Sequence, residues 1–134
     1  MAKITEEMKQ IVKNAEVFAV ATATKDSEPN VVPIQFGKVL SDDEILLMAI
    51  FMRKTVENIK TNPKVAVSVW KRGDSKGYQF KGDARIETSG KIFDEGVKMV
   101  KDVNPQLSPK AAVIVKVKSI YVITPGPDAG KQVG

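Results

Sequence analysis

MRKTVENIKTNPKVAV, residues 52–67, changes structure twice within one short stretch. Arg53 and Lys54 stand side by side, Thr55 follows, and residues 56–60 carry the only helical character here. Asn62-Pro63 then stops the helix, because proline disfavours helical geometry in the residue before it. Val65, Val67 and Val69 alternate with Lys64, Ala66 and Ser68, so residues 64–70 read as a half-buried strand. Two cations and a hydroxyl beside a helix start suit a doubly charged phosphate, since unpaired N–H groups and the helix dipole add to the side-chain charge. The same pair also fits a plain solvated surface.

Upstream, Ile4, Met8, Ile11 and Val12 set out a short amphipathic helix over residues 4–14. VFAVATAT at 17–24 is a strand, and KDSEPN at 25–30 is rich in turn formers. The pattern predicts a second strand over 31–40 and a third over 44–51, the latter so apolar that it must be buried. Downstream, Gly73 and Gly77 bracket a polar loop and residues 78–88 alternate as a strand. A helix spans 91–103, Asn104-Pro105 and Ser108-Pro109 break it, and residues 111–124 give the strongest strand signal. Consecutive strands joined by tight turns imply antiparallel pairing, and six of them suffice to curl into a small barrel. The predicted fold is mainly β, six-stranded, with short helices.

A chain of 134 residues is one domain, 1–134, with enough length for a core. Its 43% hydrophobic and 28% charged residues argue against disorder. With no cysteine and no histidine, thiolate catalysis, Cys-ligated metal sites and the commonest general base are excluded. Serine nucleophile arrangements fail for want of that base, and no GxGxxG or GxxxxGK[ST] phosphate loop occurs. The opening residues resemble no signal peptide and no run is long and apolar enough to span a membrane, so a cytoplasmic protein is expected. The net charge of +5 is spread among Asp and Glu, which suits solubility and one small anionic ligand. Asp83, Arg85 and Glu87 alternate on one face of a strand and do not form a catalytic carboxylate pair. The end of the chain, from Pro125 to Gly130, reads as a flexible segment that could also fold over a ligand.

ILLMAI followed by RKT, the run NPKVAVSVW with its terminal Trp70, GYQFKGDARIET with Gly82 inside it, and VKVKSIYVITPGP occur in the order of a known family. The chain resembles the FMN-binding split barrels related to pyridoxamine 5'-phosphate oxidase, above all the small stand-alone FMN-binding proteins. The resemblance implies a homodimer with FMN at the subunit interface. It places Arg53, Lys54 and Thr55 at the phosphate, with Asn58 reaching its side, and lays Pro33, Ile34, Gln35 and Phe36 along the flavin ring. It puts Met48 and Ala49 against the cofactor, and Trp70 and Tyr78 where a second subunit approaches it. Pro33 stands where the oxidase begins its flavin strand with arginine, Gly77 or Tyr78 where it has glutamine, and its C-terminal substrate-binding extension is missing. The resemblance therefore implies a flavoprotein for redox or electron transfer other than the oxidase proper, with a small-molecule or protein redox partner. A deazaflavin is an alternative cofactor. The competing reading is a cofactor-free barrel that binds nucleic acid or protein through its charge and Phe36, Trp70, Tyr78 and Phe80.

Overall fold

The computed structural model describes residues 2–73 and 75–134. Its elements run α1 (Glu6–Asn14), β1 (Phe18–Ala23), β2 (Pro29–Ile34), β3 (Gly37–Ser41), β4 (Glu44–Ala49), α2 (Arg53–Thr61), β5 (Lys64–Val69), β6 (Tyr78–Glu87), α3 (Lys91–Val103) and β7 (Ala111–Val122). The seven strands form one sheet in the order β2-β1-β5-β6-β7-β4-β3, and every neighbouring pair is antiparallel.

The strand expected over 31–40 is two strands, which corrects the count from six to seven. β2 pairs with β1 and ends the sheet on one side; β3 pairs with β4 and ends it on the other. Only Gln35 and Phe36 connect them. Three Cα steps span at most ~11 Å, so the two ends of the sheet meet at this corner. The sheet must curl into a half-closed barrel whose split lies between β2 and β3. The Phe36 carbonyl accepts the Met48 N–H at 2.9 Å across that corner. In β7 the extra residue Lys118 falls between Val117, opposite Gly82, and Ser119, opposite Lys81, and such a bulge sharpens the bend of a long ladder.

One apolar cluster fills the barrel, with Phe18, Val20, Ile45, Leu47, Val67, Phe80, Val113 and Val115 at its centre. A second cluster lies outside it, where α3 covers Leu46, Met48, Ala112 and Ile114. β4 is therefore buried on both faces, the physical reason its sequence shows no alternation. α1 starts at Glu6 rather than at residue 4 because Thr5 caps it: Thr5 Oγ1 accepts the Met8 N–H at 3.3 Å, and Glu6 and Glu7 occupy the first turn. Among the described residues no helix is long and apolar enough to cross a membrane.

The chain after Thr124 turns back along β7. Val133 N–H donates to the Ile120 carbonyl at 2.8 Å, and Val122 N–H to the Lys131 carbonyl at 3.0 Å. Gly126 and Gly130 supply the positive φ angles that this return requires.

Asp83 on β6 ties three strands together through Lys64 of β5 and Lys118 at the β7 bulge. Lys64 Nζ lies 2.9 Å from Oδ1 and Lys118 Nζ 3.2 Å from Oδ2. Oδ1 is buried without an aligned hydrogen bond, so its contact with Lys64 is ionic. These two lysines hold the Asp83 carboxyl below the usual carboxylate range. A carboxyl with a depressed folded-state pKa contributes stability above its unfolded value of about 3.9, and that contribution is lost as pH falls through the folded value. Asp83→Asn is expected to lower Tm modestly near pH 7 and to shrink its fall below about pH 4; melting curves across that range check both.

Candidate functional site

α2 breaks the rules that α1 obeys. It begins at Arg53, three residues before the expected 56–60 segment, with Met52 at the N-cap position and no side-chain cap. Its first turn holds no acidic residue, and Arg53 and Lys54 occupy it. Cations there oppose the helix dipole, so the local sequence gains nothing from this placement unless an anion joins it. Both side chains are exposed, and among the described residues neither has an ion-pair partner within 4.0 Å.

What holds α2 in position is a polar network beneath it. Asn30 Nδ2, at the start of β2, donates to Thr22 Oγ1 of β1 and to Thr55 Oγ1 of α2, each at 3.2 Å. Asn58 Nδ2 donates to the same Thr22 oxygen at 3.0 Å. Thr22, Thr55 and Asn58 are all buried, at 5%, 1% and 9% exposure. The Thr55 and Asn58 side chains are thus turned inward, and of the four candidate phosphate residues only Arg53 and Lys54 face solvent. Thr22 and Asn30 were missed in the sequence because a hydroxyl in an apolar strand looks ordinary until its burial is known. Thr22→Val keeps the shape but leaves two amide donors short of an acceptor. It is expected to cost about 2 kcal/mol, roughly 6 °C in Tm, measured by calorimetry.

The candidate ring strand lies next to this helix. β2 is the terminal strand of the sheet, so one row of its backbone groups has no ladder partner, and Pro29 and Pro33 are tolerated there. Pro33 and Gln35 are exposed, whereas Ile34 and Phe36 are buried in the two clusters. Met48 and Ala49 follow on β4, but the Met48 side chain faces α3, where Gly96 has no Cβ to exclude it. Trp70 is 46% exposed just beyond β5. Tyr78 instead points into the barrel, its hydroxyl donating to Glu7 Oε1 at 3.1 Å. Burial, reinforced by Glu7, pushes the Tyr78 phenol pKa up. Since Phe36, Tyr78 and Phe80 are buried, only Trp70 of the four aromatics proposed for base stacking is exposed, and the nucleic-acid reading loses its platform.

A cleft of about 550 Å³ opens at the same end of the barrel. Of the sequence candidates it takes in Ala49 and Arg53; Lys60, Ile86, Lys110 and Ala111 join them from α2, β6 and the start of β7. Lys60, Ile86 and Lys110 lie far apart in sequence, and no motif linked them.

A curled antiparallel sheet, a basic helix start and an edge strand beside it define the class to which this chain belongs. The pyridoxamine 5'-phosphate oxidase family profile matches residues 4–124, and the chain is a member of that family. An uncharacterized protein of Methanocaldococcus jannaschii is 40% identical over 135 residues, covering 99% of this chain and 89% of its own length. The structure of HupZ from Group A Streptococcus superposes with a TM-score of 0.80 at 29% identity, covering 95% of this chain and 99% of that one. Two more distant structures share the fold. An FMN-binding protein from Syntrophomonas wolfei has a TM-score of 0.74 at 18% identity, covering 90% and 92%. The heme storage protein HutZ of Vibrio cholerae has a TM-score of 0.66 at 14% identity, covering 90% and 94%.

Proposed function

We propose that this chain is an FMN-binding redox protein, a cytoplasmic homodimer of one domain per subunit with the flavin at the subunit interface. The observation that carries the reading is the link from Asn30 to Thr55. It clamps the uncapped, doubly basic first turn of α2 against the start of the sheet's open edge strand. A flavin mononucleotide asks for that pairing of cations for its phosphate and strand backbone for the pyrimidine edge of its ring. Arg53 and Lys54 would hold the phosphate, Thr55 and Asn58 would orient the helix from beneath, and Pro33, Ile34, Gln35 and Phe36 would supply the ring's backbone contacts. Ala49 and the Met48 backbone would border the ring, and Trp70 together with the Tyr78 region would face the second subunit. When bound, FMN supplies hydride or single-electron transfer, and the protein contributes binding and orientation. No side chain is required as acid or base, in keeping with a sequence that lacks histidine and cysteine.

HutZ raises heme as a second ligand for the fold. Heme iron is usually held by His, Cys, Met or Tyr. His and Cys are missing from this sequence, and Met8, Met48 and Tyr78 are packed in the interior, which leaves only Met52, Met99 and Tyr121 partly exposed among the described residues; the want of histidine above all favours the flavin.

The visible spectrum of the purified protein, followed by acid release of any chromophore, tests the proposal. A yellow protein that releases one FMN per subunit is expected, with a dimeric mass in sedimentation. Colourless protein that fails to take up FMN on reconstitution would overturn it.

A further inference from the structure

β4 covers only the first half of its neighbour β7. It pairs with β7 from Ala111 to Lys116, and the Asp43 carbonyl accepts the Val117 N–H at 2.8 Å. Beyond that point no named strand among the described residues lies on this side of β7, and residues 126–134 take the place. They are held almost entirely through the backbone. Gly130 N–H donates to the Val122 carbonyl and Val133 N–H to the Ile120 carbonyl, each at 2.8 Å. In return Val122 N–H donates to the Lys131 carbonyl at 3.0 Å, and Ile120 N–H to that of Gly134 at 3.1 Å. Residues 125–133 are all exposed, and Gly134 alone rests against a core side chain, that of Ile120. Exposed hydrogen bonds with almost no apolar burial mark the low-stability end of a structure, and Gly126 and Gly130 at positive φ provide two hinges.

We infer that residues 126–134 are a detachable strap that opens while the barrel stays folded, and that it guards the edge of β7 against pairing with a second copy of this chain. Opening bares the N–H and C=O of Ile120 and of Val122, the same four groups that the strap satisfies. Those groups are self-complementary. In a two-fold antiparallel pairing centred on Tyr121, each Ile120 lies opposite the other copy's Val122, and every bared group finds a partner. Residues 118–122 contain no proline to prevent this and include Ile, Tyr and Val, which favour strands. Exposed sheet edges are commonly blunted by proline or by a covering segment. Here Pro29 and Pro33 interrupt the open edge of β2, whereas β7 relies on the strap. The inference uses no residue assigned to the flavin and stands without that reading.

Successive amides of β7 report its two edges separately. Ile120 and Val122 N–H face the strap, whereas Tyr121 between them, opposite Gln79, turns its own N–H toward β6. In hydrogen exchange of the full chain, followed by NMR, Ile120 and Val122 are expected to exchange about 10²-fold or more faster than Tyr121, since they need only local opening. Val133→Pro removes the N–H that the Ile120 carbonyl accepts, at a side chain that is 44% exposed. It should speed exchange at Ile120 and Val122 a further fivefold to tenfold, roughly one lost hydrogen bond, and leave Tyr121 and the melting temperature unchanged. Sedimentation of this variant at rising concentration should show association beyond the parent's mass. Val133→Ala keeps the N–H and should match the parent in both measurements. Equal protection of the three amides in the parent, no change at Ile120 and Val122 in the proline variant, or a common loss at all three overturns the detachable strap. A proline variant with fast exchange at Ile120 and Val122 that keeps the parent's mass at every concentration overturns the guarded edge.

Discussion

Alanine at both Arg53 and Lys54 leaves the apoprotein's melting temperature nearly unchanged and weakens FMN retention by about 10²–10³-fold. The first half follows from exposure: among the described residues neither side chain has an ion-pair partner, and surface changes of that kind stay within about 0.5 kcal/mol. Relief of the unfavourable position of two cations in the first turn of α2 works in the same direction. The second half follows from charge. A phosphate monoester carries about −1.5 to −2 near neutral pH. Hydrogen bonds to charged groups are worth about 1.5–3 kcal/mol each, and exposure to solvent keeps both near the lower end, so two lost contacts give about 3–4 kcal/mol. Melting of the parent with excess FMN should rise by mass action, and the variant should lose that rise. Flavin quenching titrations with parent and variant measure the affinity directly. Equal affinities would refute the phosphate assignment, whereas a collapse of the apoprotein would show that the pair serves the fold.

The elements that read correctly from sequence are those whose patterns are local. Residues 91–103 form α3 with those bounds, and β4 announced itself because burial on both faces leaves only apolar residues. Residues 31–40 misled because the chain stays extended while changing partners, from β1 at one end of the sheet to β4 at the other. No residue pattern records a change of partner; only closure of the barrel does. The start of α2 misled for another reason: RKT is a poor opening for a helix, and the bond from Asn30 to Thr55 overrides that preference from a strand elsewhere in the chain. The basic pair was visible as a motif, whereas Thr22, Asn30, Lys60 and Lys110 gain their meaning only from what the fold sets beside them.

Gly82→Ala is the single change expected to damage the barrel most. A Cβ at Gly82 would overlap the Lys116 carbonyl oxygen and lie 2.8 Å from its carbonyl carbon and 3.1 Å from Val117 Cα. All three atoms are backbone, and they belong to the longest ladder of the sheet at the place where Lys118 bulges out. Backbone paired on both sides cannot retreat as a side chain can, so the methyl must force β6 and β7 apart. A cost of about 3 kcal/mol or more, roughly 10 °C in Tm, is expected from thermal melting. Two other glycines separate this cause from a general intolerance of alanine. At Gly96 the atoms nearest an added Cβ all belong to the Met48 side chain, which is flexible where backbone is not, so a smaller cost of about 1–2 kcal/mol is expected. At Gly90 nothing lies within 4 Å, and the cost is the backbone strain of φ 98 with ψ 180, a region all but reserved for glycine, about 2 kcal/mol. If Gly82→Ala melts no lower than these two, the close approach of β6 to the bulge is not what shapes the barrel. If it melts far lower, the glycine within GYQFKGDARIET is a requirement of the curl that brings β2 round to β3 and opens the split.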